Sequence, residues 1–471
     1  MTEETQGYER GFWAVVAALT AILLTTSLMN LVVFPQFDSI NTYARDISVY
    51  ANAAALLVLG MLATFRPHFL RTNTYFIATA LCAGTGAVLL PLALALGSSA
   101  LLVVSSSLVA IGRALITVLV GLSALRLSSK RASGCVVLSF LISSACKVIA
   151  WLVPIWAGLV LFLVLPFVSL ALAWKLAKPY LVTASQSEAP ASLAITHPSS
   201  FLPLASQVFV CLFLFHVTFG FSLRYGEAGG VPVSDFMVIV PIAVVAIYVL
   251  AGKKMIPSDL LTELSVVLVV AGFLLVVTDF SLLSDASNVL LSSGSTLFEI
   301  VAWVVLVAIG SKNHAGALAV FAWGRGVSTL GTPAGAALGV WCNGLFAADP
   351  VMLAVVADCL IVLFVGYALI GLKHFSFKDV IEGVEPVSYA RATNPEEEFE
   401  ERCSDISQKY GLTPRELEVF KLLARGHDRE YIEKTLVVSR NTVKVHVKHV
   451  YAKLGIHSHV ELIALVQEKA H

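Results

Sequence analysis

GFWAVVAALTAILLTTSLMNLVVF, residues 11–34, runs for 24 residues without a charged side chain. A helix needs about 20 apolar residues to cross the hydrocarbon core of a bilayer, so this stretch reads as a membrane span. Further runs of the same kind fall near 47–65, 73–96, 100–125, 134–153 and 155–177. The break inside the last pair is placed at Pro154, because 132–177 is too long for one crossing and proline interrupts the helical ladder. A Ser/Ala/Pro-rich stretch, TASQSEAPASLAITHPSS at 183–200, precedes a second series near 203–223, 232–251, 261–281, 288–310, 315–341 and 351–372. The expected fold class is all-α: a polytopic bundle of about twelve spans arranged as six, a linker and six, followed by a small soluble domain.

Composition agrees with that reading. The 471 residues are 58% hydrophobic and 13% charged, with a mean hydropathy of +0.85. A soluble core of this length needs more charged surface. The formal net charge of zero hides two regimes, since residues 1–373 hold 17 Lys/Arg and 15 Asp/Glu while residues 374–471 hold 14 and 16. Six of the seven cysteines (Cys82, Cys135, Cys146, Cys211, Cys342 and Cys359) lie in apolar runs without a CxxC pair, and Cys403 precedes the terminal domain. They read as reduced core residues, with no disulfide or metal set. The N-terminus, MTEETQGYER, lacks a basic n-region, so the first apolar run is expected to be retained as a span rather than cleaved as a signal peptide.

Loop charges fix an expected topology. With the N-terminus in the cytoplasm, Arg10, Arg66, Arg71, Arg126, Lys130, Arg131, Lys175, Lys178, Lys253, Lys254, Lys312 and Lys373 all fall inside. Only Arg45 and Arg224 fall outside, among acids such as Asp38, Asp46, Glu227, Asp279, Asp285 and Asp349. This is the positive-inside bias, and it places both termini on the cytoplasmic side of the inner membrane of a bacterium. The expected division is a cytoplasmic N-terminus 1–10, a membrane domain 11–373 with halves 11–178 and 203–373 joined by a linker 179–202, an acidic tether 374–408, and a terminal domain 409–471.

Twelve spans in two halves around a central linker resemble the major facilitator superfamily, whose two six-helix bundles enclose a midplane cavity. The resemblance covers roughly residues 10–373. The loop after the second span of that family carries a Gly, an Asp and paired basic residues. GMLATFRPHFLR at 60–71 offers Gly60, Arg66 and Arg71 but no acid, and LAGKKMIPSDLL at 250–261 offers Gly252, Lys253 and Lys254. That loop helps transporters change state, so the partial match counts against a transport cycle.

Ionisable groups at membrane depth usually face a bundle interior and mark a ligand or pairing site. The candidates are Arg113, Lys147, His216, Glu299, Arg325 and Asp358. If the halves are repeats, Arg113 corresponds to Glu299 and Lys147 to Arg325. Three cations against two carboxylates, with His216 neutral, leave such a cavity net positive and suited to an anion. The competing reading is that these charges only pair with one another. Span eleven, AGALAVFAWGRGVSTLGTPAGAALGVW at 315–341, surrounds Arg325 with glycines and carries Pro333. It is either broken at a binding site or built for close packing, and Phe321 and Trp323 are either ligand-stacking or core aromatics.

The terminal segment LTPRELEVFKLLARGHDREYIEKTLVVSRNTVKVHVKHVYAKLG, 412–455, spells out its helices. Thr413 with Glu416 makes a capping box, Pro414 suits a first helical position, and Leu417, Phe420, Leu422 and Leu423 supply an apolar face. Gly426 stops that helix, Asp428 caps the next with Ile432 and Leu436 inward, and Val438 closes the turn. Ser439 caps a third, with Val443, Val447, Val450 and Leu454 on one face and Arg440, Lys444, Lys448 and Lys453 elsewhere, without an acid. Gly455 ends it, and a fourth helix is expected at 459–468, with Leu462, Ile463 and Val466 to pack.

This segment resembles the LuxR-type helix-turn-helix through its LTPRE opening, the ARG before the turn, and TVKVHV with KLG in the recognition helix. The resemblance implies a helix-turn-helix over Asp428 to Val447. It implies DNA contacts from Ser439, Arg440, Asn441, Thr442, Lys444, Val445 and Lys448, with the lysines donating to guanine or phosphate and Val445 meeting a thymine methyl. The fourth helix implies a homodimer on paired half-sites. Glu433 stands where the family has a small residue. His446, His449, His457 and His459 lack a completing cysteine or carboxylate, so no metal or other cofactor is expected. Residues 374–401 carry two cations and eight acids, either a plain solvated linker or a mask for the basic helix. No soluble segment for a receiver domain precedes the terminal domain, so the membrane bundle is the only input.

The expectation is a one-component regulator, not an enzyme, that senses a small, anionic molecule in the bundle and acts on DNA and RNA polymerase. The alternative is a facilitator-type transporter carrying a regulatory DNA-binding domain.

Overall fold

The computed structural model describes residues 3–150, 152–186, 207–225, 237–251, 258–276, 281–312, 314–348, 350–367, 399, 403, 404, 406, 407 and 410–467. It divides into two compact units, Met1–Val387 and Ser388–His471. No strand occurs among the described residues.

The first unit places one principal helix on every expected span. These are α1 (Glu3–Leu28), α2 (Tyr43–Phe65), α3 (Thr72–Leu96), α4 (Ser99–Ala124), α5 (Ser129–Ala150) and α6 (Ile155–Gln186), then α7 (Gln207–Tyr225), α8 (Ile239–Ala251), α9 (Ser258–Val276), α10 (Ser281–Lys312), α11 (Ala317–Ala348) and α12 (Pro350–Gly366). Among the described residues eight of the helices are long and apolar enough to cross a membrane, and Val208–Phe221 and Ile239–Tyr248 are apolar but shorter. Glycine, serine, threonine and Arg325 dilute the hydropathy of α11, which falls outside those eight.

Within each half neighbouring helices pack pairwise, α3 on α4 and α9 on α10. Across the halves α11 packs on α2, and α8 packs on α5. If the halves repeat with a six-helix offset, these two contacts are the same contact seen twice, which is the arrangement expected of paired six-helix bundles. The α2–α11 contact is specific: the Trp323 indole lies against Gly60, where a Cβ would come within 3.0 Å of the ring, and Trp323 Nε1 donates to Thr64 Oγ1 at 3.0 Å. Phe321 is fully buried and packs on Gly121. Phe321 is therefore a core residue, and the half-buried Trp323 packs against the same core.

Helices α7 and α11 approach closely at their glycines. A Cβ at Gly335 would lie 1.8 Å from the Val217 carbonyl oxygen, and one at Gly220 would lie 1.9 Å from the Thr332 carbonyl oxygen. Helix α11 runs unbroken through Pro333, so its glycines serve close backbone packing rather than a break.

Two features depart from the expected boundaries. Helix α6 continues through Pro179 to Gln186, eight residues into the expected linker, because the buried stripe Ala173, Ala177, Leu181 and Ala184 continues past the proline. Residues 187–202 of that linker and the acidic tether 374–398 lie outside the described residues. In the first span, α1 gives way to a π-helical turn at Met29–Val33 and then a short helix, Phe34–Phe37. Pro35 in that short helix cannot donate to the carbonyl four residues back and would crowd it, and a widened turn relieves both.

The second unit holds α13 (Pro414–Ala424), α14 (Arg429–Leu436), α15 (Arg440–Leu454) and α16 (His459–Gln467). Each early boundary is set by its sequence. Thr413 and Glu416 form the reciprocal capping box, with Pro414 in the first turn. Asp428 Oδ1 accepts from the Tyr431 amide at 2.9 Å, and Ser439 Oγ from the Thr442 amide at 3.2 Å. Gly455 ends α15 in the left-handed conformation, φ +67. Val419, Phe420, Leu423, Ile432, Val443, Val447, Val450, Leu454, Leu462 and Val466 form the core, joined by Cys403.

Candidate functional site

In the bundle, Glu299 on α10 is the centre of a charge cluster. Its carboxylate ion-pairs with Arg325 Nη1 of α11 at 2.6 Å and meets His216 Nε2 of α7 at 2.9 Å. Trp303, one turn along α10, donates from Nε1 to Glu299 Oε1 at 3.2 Å, and its ring stands 5.0 Å from the Arg325 guanidinium carbon. His216 is fixed by its Nδ1, 2.8 Å from the Leu212 carbonyl, which turns Nε2 toward the carboxylate. The side chains of Glu299, Arg325 and His216 are only 17%, 13% and 11% exposed. Arg325 Nε is buried without an acceptor among the described residues.

Three of the six intramembrane candidates thus come together in one cluster of the second half. Arg113 of α4 is held elsewhere, donating from Nη1 to Thr26 Oγ1 at 3.0 Å, yet within electrostatic range of Arg325. Lys147 is half-buried on α5 and Asp358 is exposed on α12, and neither belongs to the cluster. Trp303 is the member that sequence reasoning passed over. Its signal was the spacing Glu299 to Trp303, one residue more than three, which puts an indole N–H beside a carboxylate on one helix face.

In the second unit, Asn441, Lys444, Val445 and Lys448 share one exposed face of α15, while Val443, Val447 and Val450 fill the buried side. Ser439 and Arg440 are exposed at its N-terminus, and the Thr442 hydroxyl lies 2.8 Å from Ser439 Oγ. A helix N-terminus with free amides and basic neighbours is suited to a phosphate. Lys453, counted above among the cations of this helix, is engaged inside the domain: its Nζ bonds Glu416 Oε2 at 2.6 Å and the Gly411 carbonyl at 2.9 Å. The Lys453 bond, followed by the Thr413 amide, lowers the Glu416 pKa from 4.5 to about 2. Arg415 ties α13 to the end of α14, donating from Nη2 to the Leu436 carbonyl at 3.0 Å and ion-pairing with Glu418. Glu433 is half-buried, and Ile432 fills the inward position beside it.

The turn between α14 and α15 holds one strained residue. Val437 has φ 53 and ψ 50, and it is the one non-glycine residue at positive φ among those described. It is 88% exposed. Of the four histidines, His459 Nε2 is 2.6 Å from the Leu423 carbonyl and His449 Nδ1 is 3.7 Å from Glu416, while His446 Nδ1 is buried without a hydrogen-bond partner among the described residues.

Residues 411–466 match the family of bacterial regulatory proteins known as luxR. These residues are a LuxR-type helix-turn-helix domain. The nitrate/nitrite response regulator NarL of Escherichia coli K12 is 40% identical over 65 residues, which cover 14% of this chain and 29% of NarL. The oxygen regulatory protein NreC of Staphylococcus aureus JH9 is 40% identical over 58 residues, covering 12% and 27%. The chain therefore spans less than a third of the length of either relative. The membrane unit has the facilitator fold. The human organic anion transporter MFSD10 aligns with TM-score 0.53 at 13% identity over 76% of this chain and 98% of its own. The Escherichia coli fucose:proton symporter FucP aligns with TM-score 0.51 at 12% identity over 75% and 97%. The chain thus carries a LuxR-type helix-turn-helix domain after a unit of facilitator fold.

Proposed function

We propose that the protein is a membrane-bound one-component transcriptional regulator of the bacterial inner membrane, with both termini cytoplasmic. A small molecule bound in the bundle shifts an equilibrium between two conformations, and the DNA-reading domain engages promoter half-sites as a homodimer that acts on RNA polymerase. Coupling of this kind requires a ligand that binds the two states with different affinity. The observation that carries the reading is the exposed face of Asn441, Lys444, Val445 and Lys448 on an intact three-helix core, attached to a polytopic membrane domain. A protein of this build meets DNA only at the membrane surface.

Transcript profiling tests it. A deletion strain carrying the Lys444→Ala/Lys448→Ala variant loses the regulated transcripts seen with wild type, at equal membrane content of the protein. Unchanged transcripts with the variant refute the regulator reading. The facilitator fold and the interior carboxylate Glu299 favour one competing reading, a transporter with an appended regulatory domain. Substrate uptake that is lost in Glu299→Gln, with transcripts unaltered, would put that reading first.

A further inference from the structure

No carboxylate among the described residues pairs with Arg113. Among the described residues its one hydrogen bond goes to the Thr26 hydroxyl, which is itself directed at the Ile22 carbonyl at 3.4 Å. The interior carboxylate Glu299 is already shared by Arg325 and His216, and Arg325 adds like charge within electrostatic range. A guanidinium at bilayer depth is strongly unfavourable, and such groups are ordinarily paired.

Arg113 also lines a pocket of about 10 Å³, walled by Phe34, Phe37, Phe162 and Val109 with Ser48 and Ser106 at its edge. That is room for about one water-sized body in this conformation. The pocket reaches the π-helical turn of the first span, through Met29 and Val33, and such turns recur where a helix wall is shaped around a site. The Ser48 and Ser106 hydroxyls donate to the Arg45 and Val103 carbonyls at 2.7 and 3.2 Å. Arg113 is therefore the donor of this pocket, and recognition there rests on charge and size. A wall this apolar disfavours divalent, strongly hydrated anions, whose desolvation is the most unfavourable.

We propose that Arg113 forms a buried site for one monovalent anionic head, supplied either by a free halide or by the carboxylate of a small organic acid. The proposal rests on the ligand-sensing reading of the bundle and names the ligand class for it.

The test uses the purified full-length protein in detergent at constant ionic strength, with sodium sulfate replaced stepwise by sodium bromide or by sodium formate, the smallest carboxylate. A saturable rise in melting temperature of about 2–4 °C is expected for at least one of the two. Lys147→Gln should keep that rise and Arg113→Gln should lose it. Ser106→Leu, which fills the pocket and leaves the charge, should lose it as well, and decides the matter if Arg113→Gln does not fold. A response to bromide alone assigns the free ion, and a response to formate at lower concentration assigns the carboxylate. A flat response, or one that survives both pocket variants, overturns the site. The Lys444→Ala/Lys448→Ala transcripts are independent of that result, so failure here leaves the regulator reading standing.

Discussion

The membrane unit and the DNA-reading unit must each decide where helices stop and where charges go, and they use different means. In the membrane unit helix length follows the apolar run, and charge is gathered inside, as in the Glu299, Arg325 and His216 cluster. In the DNA-reading unit each helix is opened by a side-chain cap and charge is spread over the surface, apart from the Glu416–Lys453 link. Water explains the difference. Without it an interior charge must find a protein partner, and with it a short helix needs only its end groups satisfied. The two units should therefore fail for different reasons.

The sharpest break is expected at the α7–α11 contact. Gly335→Ala sets a methyl group against the Val217 carbonyl, 1.8 Å away before any shift, and overpacking of that kind costs about 3 kcal/mol or more. Gly134→Ala, where nothing lies within 4 Å of the new carbon, should be tolerated. Yield of monodisperse protein in detergent compares the two, and equal yields would show that the helices part easily.

Next comes the interior charge. Glu299→Gln leaves the Arg325 guanidinium buried without its carboxylate, a loss of roughly 3–5 kcal/mol. Adding Arg325→Met should recover part of it, since a buried pair replaced by apolar groups is often neutral. Thermal melts of the single and double variants measure both, and a double variant no better than the single would mean that Arg325 is held by other forces.

The link inside the DNA-reading domain is weaker, because Lys453 is partly exposed. Glu416→Gln should lower its stability by roughly 1–3 kcal/mol. The Glu416 pKa is lowered in the fold to about 2 from 4.5, so its stabilising effect is complete above about pH 4.5 and fades as the pH falls toward 2. Hydrogen exchange over α13 and α15 in the full-length protein should show that acid sensitivity in wild type and not in the variant.

The smallest effect concerns the turn. Left-handed backbone is unfavourable for valine by about 1–2 kcal/mol, so Val437→Asn should slow exchange in α14 and α15, by up to roughly 1 kcal/mol in opening free energy. A faster exchange would mean that the valine side chain contributes more than its backbone loses.

Much of this architecture was legible in the residues. The twelve apolar runs, Thr413, Asp428 and Ser439 as caps, and the inward face of α15 could all be read because spacing along the chain carries the information. What escaped was set by partners far apart in sequence. Nothing near Glu416 announces Lys453, and nothing near Glu299 announces His216. Helix α6 overran Pro179 because a buried stripe outweighed a breaker. Hydropathy could not register the π turn, since one added residue leaves an apolar run unchanged. The left-handed Val437 was equally hidden, because a β-branched residue argues against that conformation.

That π turn has a rotational consequence. A π turn holds one residue more than the α-helical turn it replaces, and each residue of an α-helix advances the direction of its side chain by about 100°. Deleting a single residue within Met29–Val33 would therefore let an ordinary α turn cover the same rotation, so Phe34 and Phe37 would keep their direction relative to Thr26. The wall of the Arg113 pocket should thus survive a one-codon deletion within that turn, whereas the same deletion in the regular α-helical part of the span after Thr26 would swing both phenylalanines by that angle and leave the span as hydrophobic as before.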